Sequence, residues 1–384
     1  MLSRRASWKV GLIVTSLIAA AVVGDMLLSR PVPVSNSSSP PYFDYLVVVV
    51  LENMNLNQTY GSSCIGNCSY ITQLADTYGI AINYSGVAHR SVPNYLTLTS
   101  GWNYAYSPFI STCAAIGANG CITNARNVVD AIEDTGRAWK VYVENYGGNC
   151  KAVLPFAYYT DFYYNSTRCL NIVDANPGAH KSLYSVPTAL FSDLNSNAAP
   201  NFMWLKSDEC DQGYYACYPS NSTTNPCGTR FPQCVSQANE YLSLVVPRIL
   251  GSTIFRTRNA ALFITWDEGG GNVVSTGKIC PGLGPTYPTC NDVLPAIIAG
   301  PNVKHGYRNE QSLSHYSFVK TLEVAWNLKV SWNLSSLPPI RILPMTDFFT
   351  TSLHASASIE PSLGGWIVSN RICMCAILER RATT

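Results

Sequence analysis

Residues 45–53 read YLVVVVLEN. Seven consecutive apolar residues, most of them β-branched, mark a strand buried on both faces, and such a strand belongs in a parallel sheet covered by helices on each side. Further runs of this kind occur at residues 80–84, 138–143, 201–205, 260–266 and 293–299. Between them lie helix-periodic segments at residues 70–78, 128–134, 237–250 and 315–326, the first closed by Gly79 as an expected C-terminal cap. The alternation predicts an α/β protein with a mostly parallel central sheet.

The rest of the chain fits around one such domain. Its 384 residues are 47% hydrophobic and 12% charged, enough apolar material for a large core. A formal net charge of +2, with no dense Lys/Arg stripe, argues against nucleic acid as a partner. Arg4, Arg5 and Lys9 precede an apolar run at residues 10–24, the layout of a secretory signal; extended through Leu28, the same run reads as an N-terminal membrane anchor. Residues 1–30 are assigned to this segment, 31–41 to a linker, 42–350 to the catalytic domain and 351–384 to a C-terminal tail. Either form of the N-terminus places the domain outside the cytoplasm, secreted or held on the outer face of the membrane, and any membrane association is expected through that segment alone.

Fourteen cysteines suit that compartment. Cys113 with Cys121 and Cys280 with Cys290 are spaced to close small loops. Cys64 and Cys68 resemble half of a zinc site, but no second half follows at finger-like spacing. Residues 206–232, rich in Cys, Tyr, Asn and Ser, read as a disulfide-stapled insertion. Glycosylation sequons at Asn36, Asn57, Asn67, Asn83, Asn165, Asn221 and Asn333 favour a glycosylated exterior.

Two strands end in ligand-type residues: the first runs into Glu52 and Asn53, and residues 260–266 run into Asp267 and Glu268. Alone, each acid reads as a helix cap or a solvated charge. In an open parallel sheet, however, strand ends converge on one crevice, where three carboxylates and an amide repel one another unless a cation sits between them. Hard oxygen donors suit Mg²⁺, Ca²⁺ or Mn²⁺, or a hydrolytic Zn²⁺ or Fe site with histidine assistance. A third pair, Glu144-Asn145, ends residues 138–143 and is assigned a supporting or structural role.

In residues 89–101, HRSVPNYLTLTSG, Ser91 stands where a helix begins. It reads as an N-cap, and equally as a nucleophile set among N–H groups that favour a phosphoryl group. Asn94 is placed to hydrogen-bond a phosphoryl oxygen, and His89 to contact a leaving group or orient the site. His315 opens a later helix and is a candidate for phosphate or metal contact, while His180, His305 and His354 read as surface residues.

These pieces, in order, are VVVVLEN, HRSVPNYLTLTSG, WKVYVEN, PNFMWL, ITWDEGGG, AGPNVKHG, SHYSFVKTLE and PMTDFF. The ordered set resembles the secreted acid phosphatase and phospholipase C phosphoesterases of the alkaline-phosphatase-like superfamily, over most of the mature chain. The resemblance implies an α/β/α sandwich that hydrolyses phosphoesters, of small molecules or lipid head groups, through a phosphoserine intermediate. It matches Glu52, Asn53, Asp267 and Glu268 to metal-binding positions of a divalent ion and Ser91 to the nucleophile that also touches the metal. His315 and His89 match active-site histidines, with Arg90 in place of the family's usual proline. Two family features are missing: a His-Asn-Pro is replaced by Val153-Leu154-Pro155, and an Asn-Asp-x-His by the stretch SDECDQGYY, where Asp208, Asp211 or Tyr214 is the available substitute. The expectation is an acid-leaning phosphomonoesterase; a phospholipase C-type phosphodiesterase and an inactive surface glycoprotein on the same fold are the alternatives.

Overall fold

The computed structural model describes residues 42–88, 91–104, 121–177, 186–214, 231–269, 293–334 and 341–350. The N-terminal segment, the linker, the C-terminal tail and His89 therefore lie outside the described residues. All described residues belong to one compact unit, and no helix among them is long and apolar enough to cross a membrane.

Among the described residues nine strands form one sheet, in the order β4-β3-β5-β1-β6-β7-β2-β8, with β9 pairing β2. They are β1 (Tyr45–Leu51), β2 (Gly79–Ser85), β3 (Trp139–Val143), β4 (Ile172–Asp174), β5 (Phe202–Lys206), β6 (Ala260–Trp266), β7 (Val293–Ala299), β8 (Tyr307–Asn309) and β9 (Leu313–Ser314). Only β7 runs against its neighbours. The apolar run that predicted a doubly covered strand is central: β1 pairs in parallel with β5 on one side (Val49 with Leu205) and with β6 on the other (Leu51 with Trp266). After β1 the chain goes to one half of the sheet for β2 and to the other for β3. The crevice at the carboxyl end of β1 is thus a topological switch point, where ligands bind in open α/β sheets.

Alternation along each strand sends side chains to two cores. Val48, Val50, Phe202, Trp204 and Phe263 face one core, covered by α2 (Ser91–Ser100), α3 (Val128–Asp134) and α6 (His315–Trp326). Val47, Val49, Leu51, Met203, Leu205 and Ile264 face the other, covered by α1 (Ser69–Thr77), α4 (Thr188–Leu194) and α5 (Phe231–Leu250). Each such aliphatic side chain contributes ~1.5–3 kcal/mol by burial, so both faces of β1 hold the sheet in place and its end in register.

Gly79 departs from expectation. The helix ends at Thr77 with Tyr78 as its C-cap, and Gly79 is the first residue of β2 rather than a left-handed cap. Its role is close packing, since a Cβ there would lie 2.7 Å from Phe348 Cδ1. Helix α5 begins at Phe231, well before the expected residue 237, and so takes in the end of the Cys-rich insertion. Cys64 pairs with Cys68, which removes the zinc alternative, and Cys150 pairs with Cys169. Cys121, Cys210 and Cys234 are also disulfide-bonded; Cys113, Cys280 and Cys290 lie outside the described residues.

Candidate active site

The ladder between β1 and β6 continues one step past the strands, with Asp267 N donating to Leu51 O at 2.9 Å. This brings the two acidic strand ends together. Asn53 adopts φ 55°, a left-handed conformation that asparagine tolerates better than most residues. The turn aims its backbone N–H at Asp267 Oδ1 (3.1 Å) and its amide at Glu52 Oε2 (3.3 Å). Helix α2 supplies two hydroxyls from one face, four residues apart. Ser91 Oγ donates to Glu52 Oε2 at 3.0 Å, and Tyr95 donates to Glu52 Oε1 at 2.9 Å.

Burial sets the electrostatics of this corner. Glu52 and Glu268 are 7% exposed and Asp267 is fully buried. Burial pushes the Glu52 carboxyl above the usual range, against the opposing pull of the Lys206 ammonium and of the Tyr95 and Ser91 hydroxyls. Asp267 is pushed well up, first by burial and then by the charges of Glu52 and Glu268. Asp267 Oδ2 is buried with no hydrogen-bond partner. A buried carboxylate oxygen left unpaired is costly, and a hard divalent cation removes both that cost and the repulsion among the acids. The donor set of Glu52, Asn53, Ser91, Asp267 and Glu268 fits such an ion. Glu52, Asp267 and Glu268, all described residues, do not form a three-carboxylate group in which the ligand atoms all lie within 4.8 Å of one another.

Glu144, Asp208 and Asp211 do form such a group. Glu144 follows β3, and Asn145 beside it repeats the left-handed turn at φ 54°. Tyr241 on α5 donates to Glu144 Oε1 (2.8 Å), the Asp208 N–H to Glu144 Oε2 (3.1 Å), and the Asn145 amide to Asp208 Oδ2 (2.6 Å). Burial raises the Glu144 carboxyl well above its ordinary value, and Asp211 raises it further. The sequence offered these residues separately, as a supporting pair and as possible substitutes for missing histidines; the structure brings them together as a second place able to hold a cation.

Two expected contacts are corrected. Asn94 is fully buried and faces the loop before Ser91: its Oδ1 accepts from the Val87 and Ala88 N–H groups at 2.7 and 3.2 Å, and its Nδ2 donates to Ala88 O at 2.7 Å. Asparagine at this position shapes the approach to the serine instead of meeting a phosphoryl oxygen. His315 is likewise fully buried, with Nε2 2.7 Å from Asp267 O and Nδ1 3.0 Å from the Tyr84 hydroxyl. A carbonyl only accepts, so Nε2 carries the proton and Nδ1 accepts from Tyr84. Burial lowers the pKa of this ring to about 4 and keeps it neutral. Both nitrogens are used by the protein, and His315 supports Asp267 from behind instead of ligating metal or phosphate. Ser91, expected as a cap just outside its helix, is the first helical residue. Tyr84, Tyr95 and Lys206 had drawn no attention in the sequence, because their roles depend on neighbours far away along the chain.

Where the family histidine is missing, Val153 and Leu154 are buried in the core on the α2 side, together with Phe156, Tyr158 and Tyr159. Tyr159 packs onto α2 through hydrogen bonds to Thr99 and to the Leu96 carbonyl. Val153 and Leu154 thus belong to the core and bring no polar group to the site.

The model of the Phosphoesterase family matches residues 57–329. A Mycobacterium tuberculosis phosphatidylinositol-3-phosphatase is 23% identical over 333 residues, which are 86% of this chain and 92% of that protein. Among solved structures, a Vibrio parahaemolyticus protein in the alkaline phosphatase superfamily aligns with a TM-score of 0.48 at 13% identity, over 74% of this chain and 66% of that one. The periplasmic domain of Escherichia coli EptC in complex with Zn aligns at 0.46 and 11%, over 75% and 84%. Murine ectonucleotide pyrophosphatase/phosphodiesterase 5 aligns at 0.47 and 10%, over 80% and 100%.

Proposed function

This chain belongs to the Phosphoesterase family and is a hydrolase of phosphoric esters, and we propose that it is a secreted, metal-dependent phosphomonoesterase working through a phosphoserine at Ser91. The observation that carries the reading is the Ser91 hydroxyl, held at the start of a helix, donating to a buried carboxylate beside an unpartnered oxygen of Asp267. The resemblance of 86% of the chain to a phosphatidylinositol-3-phosphatase supports a terminal phosphate as the target, on a small molecule or a lipid head group. The described disulfides and the N-terminal segment support an extracellular setting, because such bonds persist where the surroundings are oxidising.

Glu52, Asn53, Ser91, Asp267 and Glu268 would hold the divalent ion. When bound, it supplies Lewis-acid charge to the phosphoryl oxygens and lowers the pKa of the serine hydroxyl. The chain's own groups do the rest. Ser91 Oγ passes its proton along the hydrogen bond to Glu52 Oε2 and attacks phosphorus; the new Oγ–P bond forms as the P–O bond to the alcohol breaks, and the departing alkoxide takes a proton from water. Water then attacks the phosphoserine, the Oγ–P bond breaks, Glu52 returns its proton to Ser91 Oγ, and inorganic phosphate departs. Tyr95 holds the other oxygen of Glu52 throughout, and His315 fixes the backbone of Asp267.

The test is phosphate release from an aryl phosphate across acidic to neutral pH, with and without chelator, beside Ser91→Ala. Activity that disappears with chelator and with Ser91→Ala supports the reading. Undiminished turnover by Ser91→Ala would remove the nucleophile assignment, and cleavage of phosphodiesters alone would shift the function to a phospholipase C-type diesterase.

A further inference from the structure

We propose that Lys206 is a substrate-binding residue, its ammonium gripping the non-bridging oxygens of the phosphoryl group in front of Ser91. The inference rests on the phosphoester reading of that same site and concerns how it tolerates a substrate of like charge. The charges of Glu52 and Glu268 both act on Asp267, so one divalent cation beside these three carboxylates leaves the corner negative, and a monoester dianion brings two further charges. His315, the histidine at hand, is neutral with both nitrogens occupied. A cation from the protein is needed to make binding favourable.

The sheet register supplies one. Lys206 is the last residue of β5, one step beyond the Val49–Leu205 pair and opposite Val143 on the other flank. Alternation from Phe202 and Trp204 puts its side chain on the face covered by α2, the face that Val48, Val50 and then Glu52 also share. Neighbouring strands at ~4.8 Å and a rise of ~3.3 Å per residue set the Lys206 and Glu52 Cα atoms about 8 Å apart on the diagonal, within reach of two long side chains. Its charge does bear on Glu52. Directly below it on the strand, Trp204 packs against Tyr95, the residue bound to Glu52.

Lys206 is half-buried, and the described ion pairs engage Lys140, Lys320, Arg126, Arg168 and Arg308 instead.

The experiment compares the full chain with Lys206→Met and Lys206→Arg, after circular dichroism of each. The readouts are KM and kcat on p-nitrophenyl phosphate and on bis(p-nitrophenyl) phosphate, together with calorimetric binding of inorganic phosphate. Loss of one charge-assisted contact predicts that Lys206→Met weakens inorganic phosphate binding and raises KM for the monoester about 10- to 100-fold. The expected change in kcat is smaller, as is the effect on the singly charged diester, and Lys206→Arg should recover most of the loss. Unchanged phosphate affinity and monoester KM in a folded Lys206→Met protein would overturn the proposal. Should the Met variant misfold, Lys206→Gln takes its place under the same criteria. If the wild type hydrolyses neither ester, the functional reading fails by itself; calorimetry then decides Lys206 separately, phosphate binding lost in Lys206→Met supporting it and equal or absent binding overturning it.

Discussion

Two corners of the sheet are built to nearly the same local plan and differ in what surrounds them. At the end of β1, Glu52 is followed by a left-handed Asn53; at the end of β3, Glu144 is followed by a left-handed Asn145. Each glutamate receives a tyrosine hydroxyl on Oε1, from Tyr95 in one case and Tyr241 in the other. In each, an asparagine amide and a backbone N–H bind the carboxylates. What differs is the face. Glu52 turns toward α2, which also presents Ser91, whereas Glu144 turns toward α5, which offers it a tyrosine and no nucleophile in contact. A glutamate-asparagine pair after a strand is a structural element; under the proposed function, a hydroxyl from a helix N-terminus makes it a reaction centre.

The largest expected effect tests that division. Ser91→Ala should lower phosphate release by at least about a thousandfold, since it removes the atom that forms the covalent bond. Glu144→Gln, which keeps the volume and one acceptor oxygen, should leave kcat within about tenfold of wild type. Steady-state assays of the two variants, both folded by circular dichroism, decide the matter; a Glu144→Gln enzyme as inactive as Ser91→Ala would break the contrast.

Stability should follow the opposite order. Glu144→Ala leaves the Tyr241 hydroxyl and the Asp208 N–H without their acceptor, at an expected cost of ~3 kcal/mol in urea unfolding. A loss below 1 kcal/mol, on the order of an ordinary surface substitution, would show that the second corner is not structural.

The His315 support belongs to the first corner only and gives it a pH signature. Folded His315 stays neutral down to about pH 4, while an unfolded histidine protonates near pH 6.5. Its folded pKa is depressed, so its contribution to stability is complete above pH 6.5 and is lost as pH falls toward 4, up to ~3 kcal/mol in all. Melting curves of wild type and His315→Gln across that window should differ in slope; parallel curves would mean that the ring titrates normally.

The smallest effect concerns the tyrosines that the two corners share. Tyr95→Phe removes one hydrogen bond to a buried carboxylate and should cost ~1–2 kcal/mol, with a matching loss of divalent-ion affinity by calorimetry. Tyr241→Phe should cost about as much stability without changing turnover.

The sequence determined much of this on its own. Continuous β-branched runs have one economical home, the inside of a covered sheet, so β1, β6 and β7 and the helices at Val128–Asp134 and His315–Trp326 were legible residue for residue. Short edge strands such as β4, β8 and β9 were not, because two or three residues carry no period. Glu52, Asn53, Ser91 and Asp267 could be nominated from their places at strand and helix ends, since backbone direction fixes where an end points. The partners of Asn94 and His315 could not, because one amide or one imidazole has the same chemistry whether it faces a ligand, a loop or a backbone carbonyl. Only the folded sheet decided that Lys206 shares a face with Glu52 and that Glu144 meets Asp208 and Asp211. Those neighbours come from strands and loops 60 or more residues apart, and their distance is set by strand order and pleat, quantities that no local stretch of sequence contains.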